Sequence, residues 1–146
     1  MLSLVKNQTI GMENKDLRWK QRFQNFEKAF LFFEMTVDKE SYTPIEIGGL
    51  VQAFEFTFEL GWKTIKDFLY EQGLNTNYPR ETIKEGFKTQ IIEDGHTWLQ
   101  MLEKRNELSH TYNSATAEQA VEVIKYQYYQ AIEQVYHFFK DKINEQ

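Results

Sequence analysis

Three observations predict an all-α fold, an up-and-down bundle of about five helices, three long and two short. Apolar residues recur at alternating steps of three and four over long stretches, the spacing that draws one stripe along a helix. The 146 residues hold only 2 prolines and 7 glycines against 16% aromatic residues, which favours long uninterrupted elements around a bulky core. No alternation of apolar and polar residues competes with the helical spacing anywhere. A chain of this length makes one domain of ordinary size. It is read as a loose N-terminal arm over residues 1–14, which lacks periodicity, followed by a single helical-bundle domain over 15–146. Met12 is an alternative start.

The first helix is predicted from Asp16, a suitable N-cap, with Trp19, Phe23, Phe26, Phe30, Phe33 and Val37 on one stripe. The polar run Asp38–Thr43 ends it. Thr43 and Pro44 then read as cap and first helical residue. Ile47, Val51, Phe54, Phe58, Gly61, Ile65 and Phe68 form the second stripe, widened by Leu50, Trp62 and Leu69, and Gly73 supplies the C-terminal stop. Gly61 lies on the stripe, where its cost of about 1 kcal/mol relative to Ala predicts close approach of a neighbouring helix. Asn75–Pro79 is a linker. A short helix over Arg80–Ile92 uses Ile83, Phe87 and Ile91. Asp94-Gly95 is a turn signal, after which Trp98, Met101, Leu102 and Leu108 mark a fourth helix ending near His110–Asn113. Thr116 with Gln119 resembles a capping box and opens a last long helix on Ala117, Val121, Ile124, Tyr128, Ala131, Val135 and Phe138. Phe32, Phe56, Tyr126, Tyr129 and Tyr136 fall partly off these seams. Aromatic residues so placed predict an interface, and hence a dimer formed through helices or a stable hetero-complex; a thicker core is the alternative.

Composition narrows the function. Acidic groups outnumber basic ones by 22 to 17, which argues against binding duplex DNA or an anionic membrane through a broad basic surface. The absence of cysteine removes disulfides, zinc–thiolate sites, iron–sulfur clusters and a thiol nucleophile. No apolar run reaches the ~18 residues of a membrane span, and Met1–Ile10 does not read as a secretion signal. A cytoplasmic protein is the expectation. No metal site is predicted, because His96, His110 and His137 share no ligand spacing and Glu93-Asp94 reads as a solvated turn. No cofactor is predicted either, since no glycine-rich phosphate loop, nucleotidyltransferase Gly-Ser pattern or serine-hydrolase elbow occurs. Glu55, Glu59 and Lys63, at four-residue steps, read as surface pairing along a helix, and Lys63, Lys66 and Arg80 as a solvated face.

Reactive side chains converge in one place, Arg105-Asn106-Glu107-Leu108-Ser109-His110-Thr111-Tyr112. Arg105 shares the apolar stripe of Trp98, Met101, Leu108 and Tyr112. A permanent charge on such a face is expensive unless it is paired or handles a ligand. In an ideal helix the Arg105 and His110 Cα atoms stand about 9 Å apart, a gap the arginine arm can bridge. These residue types suit RNA backbone cleavage without a metal. Histidine exchanges protons with the ribose 2′-hydroxyl or the leaving oxygen, and arginine grips the phosphate and stabilises its developing charge. Asn106 and Ser109 would orient either partner. The competing reading makes Arg105 and His110 an ion-paired interface feature.

The order Arg105, four residues, His110, one residue, Tyr112 resembles the motif of the HEPN superfamily, specifically the HepT-like branch described as nucleotidyltransferase substrate-binding proteins. Leu50–Lys63 (LVQAFEFTFELGWK) and Asp94–Trp98 support the resemblance, which spans roughly Leu17 to Phe139. It implies a homodimer whose arginines and histidines line one cleft, a minimal nucleotidyltransferase encoded by a neighbouring gene as partner, and a toxin–antitoxin role. Arg105 and His110 would be catalytic with Asn106 assisting, and Ser109 and Tyr112 would contact RNA. Tyr112 would also be the tyrosine that receives AMP from the partner. A second reading of the same branch makes the protein a non-catalytic subunit that presents substrate to the nucleotidyltransferase.

Overall fold

The computed structural model describes the backbone of residues 2–108 and 114–145, and side chains over 17–108 and 115–145. The described residues form helices and their connections: α1 (Leu2–Val37), α2 (Pro44–Glu71), α3 (Pro79–Lys88), α4 (Gly95–Leu108), α5 (Ser114–Val123), a π-helical turn (Ile124–Tyr128) and α6 (Tyr129–Asn144). The last three run on without a break in helical backbone, because Val123 and Tyr128 both keep right-handed helical dihedrals. The result is the all-α bundle that the spacing predicts, with three long rods and two short ones. No described helix is long and apolar enough to cross a membrane.

The α1–α2 hairpin follows the sequence closely. Trp19, Phe23, Phe26, Phe30 and Phe33 are buried from α1, and Leu50, Val51, Phe54, Phe58, Ile65 and Leu69 from α2. Antiparallel register is fixed by Arg22 Nε donating to Asp67 at 3.0 Å and by Thr57 Oγ1 lying 3.2 Å from the Ala29 carbonyl. Thr43 caps α2 through a full capping box with Glu46. Lys39 and the Thr43 backbone N–H draw the Glu46 carboxyl down to about 2. At the other end Gly73, at φ 91°, closes a Schellman motif in which Gly73 N–H reaches Tyr70 O and Leu74 N–H reaches Leu69 O. The close approach expected at Gly61 is real: a Cβ there would stand 3.1 Å from the Trp98 ring and 3.3 Å from Phe26.

Three expectations are corrected and a fourth is widened. Helical backbone begins at Leu2, so residues 2–14 continue α1 and Asp16 is not its N-cap. Between Leu2 and Asp16 no proline interrupts the chain and Gly11 is the strongest single residue against a helix, and extension from a formed helix adds a hydrogen bond per residue without a new nucleus. α3 stops at Lys88, four residues early, because Gln90 turns left-handed at φ 66°. Ile91 N–H and Gln90 N–H then bond back to Gly86 O and Phe87 O, which swings Ile91 and Ile92 into the core and leaves Phe87 exposed. This is a Schellman closure without glycine, and Gln90→Gly is expected to raise stability by about 1 kcal/mol in denaturant unfolding, by removing the left-handed Cβ penalty. The described backbone is already helical at Ser114, so Thr116 lies within α5 and is not its N-cap. Lastly, the final stripe is wider than predicted: its Ile124, Tyr128, Ala131 and Val135 are buried, and Ala120, Ile132 and Tyr136 join them, so that Ala120, Ile124, Tyr128, Ile132 and Tyr136 make a run of consecutive steps of four. Each such step drifts about 40° around an α-helix. The wider π-helical turn absorbs that drift and keeps both halves of the rod facing the core.

The off-seam aromatics divide into two sets. Tyr136 is buried, stacked 4.3 Å from Phe30, and donates to Glu27 at 2.6 Å. Tyr129 also stacks with Phe30, at 5.7 Å. These two thicken the core. Phe32, Phe56 and Tyr126 stay 58%, 61% and 66% exposed.

Candidate functional site

The site is built on α4, whose position is set from below. Asp94 caps the helix by accepting from Thr97 N at 3.0 Å and Thr97 Oγ1 at 2.7 Å, so the predicted Asp94-Gly95 turn doubles as a helix start. Trp98 is fully buried, and its indole N–H donates to Ala131 O at 3.3 Å. Gln127, in the π-helical turn, donates to Gln100 Oε1 at 2.8 Å. These contacts fix the helix that carries Arg105 against the last rod. Near its far end, burial, with the Glu107 carboxylate adding to it, pushes the Tyr128 phenol above its ordinary pKa.

Arg105 lies on the stripe of Trp98 and Met101, and its side chain remains 25% exposed. Its guanidinium carbon stands 5.9 Å from the centre of the Phe58 ring, which is itself buried against Trp98 at 5.5 Å. Nη1 is ion-paired with Glu59 Oε1 in a short contact. The other Glu59 oxygen accepts from Trp62 Nε1 at 2.8 Å. The charge expected to be costly on an inward face is therefore paired and laid over an aromatic ring. Asn106 is exposed on the next position of α4. Ser109, His110 and Tyr112 lie outside the described residues.

Glu59 corrects the surface-pairing reading. Its ion pair runs across the bundle to Arg105 on α4, 46 residues away in sequence, instead of to Lys63 along α2. The signal for it was present: an arginine on an apolar stripe calls for a carboxylate at the edge of a facing stripe, and Glu59 follows Phe58 directly. Arg80 is paired with Glu103 at 3.6 Å. An open groove of about 590 Å³ runs over α5 and the π-helical turn, but Glu118 and Glu122 in its lining give it the wrong sign for a phosphodiester.

Among the described residues the chain is a helical bundle that seats a half-buried arginine over an aromatic ring, just before the Asn-Glu-Leu-Ser-His segment of the sequence. The family described as nucleotidyltransferase substrate binding protein like matches residues 21–141, and the chain belongs to it. The chain is 33% identical over 76 residues to a Haemophilus influenzae protein named probable ribonuclease HepT, across 49% of this chain and 52% of that one. It thus spans about half the length of that curated relative. A crystal structure of a protein from Thermus thermophilus superposes with a TM-score of 0.69 at 29% identity, over 75% of this chain and 94% of the other.

Proposed function

We propose that this chain is the HEPN subunit of a cytoplasmic two-component toxin–antitoxin system. In this reading it cleaves RNA without a metal, and a minimal nucleotidyltransferase partner silences it. The observation that carries the reading is the seat of Arg105: a cation held at the surface of the core, one residue before Asn106 and five before His110. The name of the Haemophilus relative, probable ribonuclease HepT, supports the same activity. His110 accepts the proton of the ribose 2′-hydroxyl, the freed oxygen attacks phosphorus, the P–O5′ bond breaks, and the leaving 5′ oxygen takes up the proton that His110 accepted. Arg105 stabilises the charge that builds on the phosphoryl oxygens, while Asn106 and Ser109 orient the groups.

Two copies complete the site. Phe56 lies one helical turn from Glu59 on α2 and is largely exposed. An exposed aromatic beside the arginine seat supports a twofold seam at which both arginines face one cleft. Such a cleft raises local positive potential in a chain of net charge −5. AMP transferred from ATP to the Tyr112 hydroxyl, with pyrophosphate leaving, would place a phosphate beside that cation and compete with RNA. The family's description favours a second reading, a subunit that presents substrate to the nucleotidyltransferase.

The test incubates purified chain with single-stranded RNA, alone and after treatment with the neighbouring nucleotidyltransferase and ATP. Cleavage by the untreated chain, lost together with an AMP-sized mass gain that is absent in Tyr112→Phe, is the expected result. No cleavage with a tight complex between the two proteins would move the assignment to the substrate-presenting subunit.

A further inference from the structure

We propose that Glu59 is the positioning residue for Arg105, fixed by the indole N–H of Trp62, and that it turns the guanidinium so its remaining N–H donors meet a phosphodiester. The chemistry of the inference rests on the RNA-cleavage reading, whereas the positioning itself does not. Three side chains within five residues of α2 make the seat. Phe58 lies beneath the guanidinium carbon at 5.9 Å. Glu59 Oε1 takes one N–H, from Nη1. Trp62, one turn further on and buried, holds Glu59 Oε2 at 2.8 Å. A carboxylate with one oxygen tied to a buried indole cannot swing with its partner, so the ion pair sets a direction for the arginine.

Stability alone gives this arrangement little purpose. Both side chains are part-exposed, 25% for Arg105 and 34% for Glu59, and pairs in that setting add little to folding. The carboxylate also weakens the attraction of Arg105 for an anion. A site selected only for RNA affinity would leave it out. What the pair supplies is orientation: a guanidinium has five N–H donors in a rigid fork, and fixing one of them in space aims the others. Glu59 therefore lowers ground-state affinity and raises turnover, the partition that favours the transition state.

The test compares full-length wild type, Glu59→Gln and Trp62→Phe. Glutamine keeps an acceptor for Trp62 and removes the charge; phenylalanine keeps the ring and removes the donor. With single-stranded RNA as substrate, Glu59→Gln is expected to lower kcat by roughly tenfold or more. Its KM, and the Kd for a 2′-O-methyl strand that cannot react, should be unchanged or lower. Trp62→Phe should lower kcat less, in the same direction. A merely structural role would instead shift the thermal midpoint and leave the kcat-to-KM partition alone, and that outcome overturns the proposal, as does wild-type kcat in Glu59→Gln. Side-chain ¹⁵N NMR of Arg105 supplies a readout that needs no activity: slow rotation about Nε–Cζ in wild type, lost in Glu59→Gln, is the expected result. Should wild type cleave no RNA, the ribonuclease reading falls while this measurement still decides the positioning claim, with identical Arg105 signals in both proteins overturning it.

Discussion

Arg105→Ala and His110→Ala are each expected to remove RNA cleavage while leaving the helical fold in place. Loss of one preorganised donor to a charged transition state costs on the order of 10²–10³ in kcat, and loss of a general acid–base group about 10²–10⁴. Both losses fall near or below the background of a gel-based assay. The fold should survive Arg105→Ala because the side chain is one-quarter exposed and its ion pair is shared with solvent; such a pair contributes at most about 1 kcal/mol. Glu59 keeps its bond from Trp62 and gains water. Circular dichroism and the thermal midpoint should therefore match wild type. Arg105→Lys sharpens the result. Lysine restores the charge and not the planar fork, so affinity for RNA should return and turnover should not. Full cleavage by Arg105→Ala would remove the arginine from the mechanism and leave the Glu59 pair as a structural feature only.

The long helices were legible because their signals are positive and local. Steps of three and four place Trp19 to Phe33 and Val51 to Phe68, and both sets are buried. Thr43-Pro44 and Gly73 mark ends that the backbone honours. The misread positions have weaker or distant signals. The start of α1 rests on the absence of breakers before Asp16, which leaves no mark in the spacing. Gln90 occupies a left-handed position usually given to glycine, so the end of α3 carries no flag. The π-helical turn shows only as a succession of fours, readable once burial is known. At the site, Arg105 stood out because a cation interrupts an apolar stripe. Its partner did not, because Glu59 also fits a local pattern with Glu55 and Lys63, and the local reading is the simpler one until α4 is brought across α2.

Trp98→Ala joins the core to the site and should carry the largest stability effect in the molecule. The indole is fully buried, packs on Phe58 at 5.5 Å, and donates to Ala131 O across to the last rod. Truncating a buried tryptophan costs about 3–5 kcal/mol, which lowers the thermal midpoint of a chain this size by roughly 10–20 °C. Activity should fall further than the folded fraction predicts, because Phe58 loses the surface that holds it under Arg105. Gly61 identifies the cause. In wild type a Cβ at 61 would stand 3.1 Å from the indole, so Gly61→Ala trades a helix-propensity gain of up to about 1 kcal/mol against a clash with a ring that has no room to move. With the indole gone that clash disappears and the new methyl enters the cavity. Gly61→Ala should therefore be more favourable in the Trp98→Ala background by about 1 kcal/mol, a coupling measurable in a double-mutant cycle. Strict additivity would mean that the space beside Gly61 is set by Phe26, at 3.3 Å, and that α4 contributes nothing to the need for glycine there.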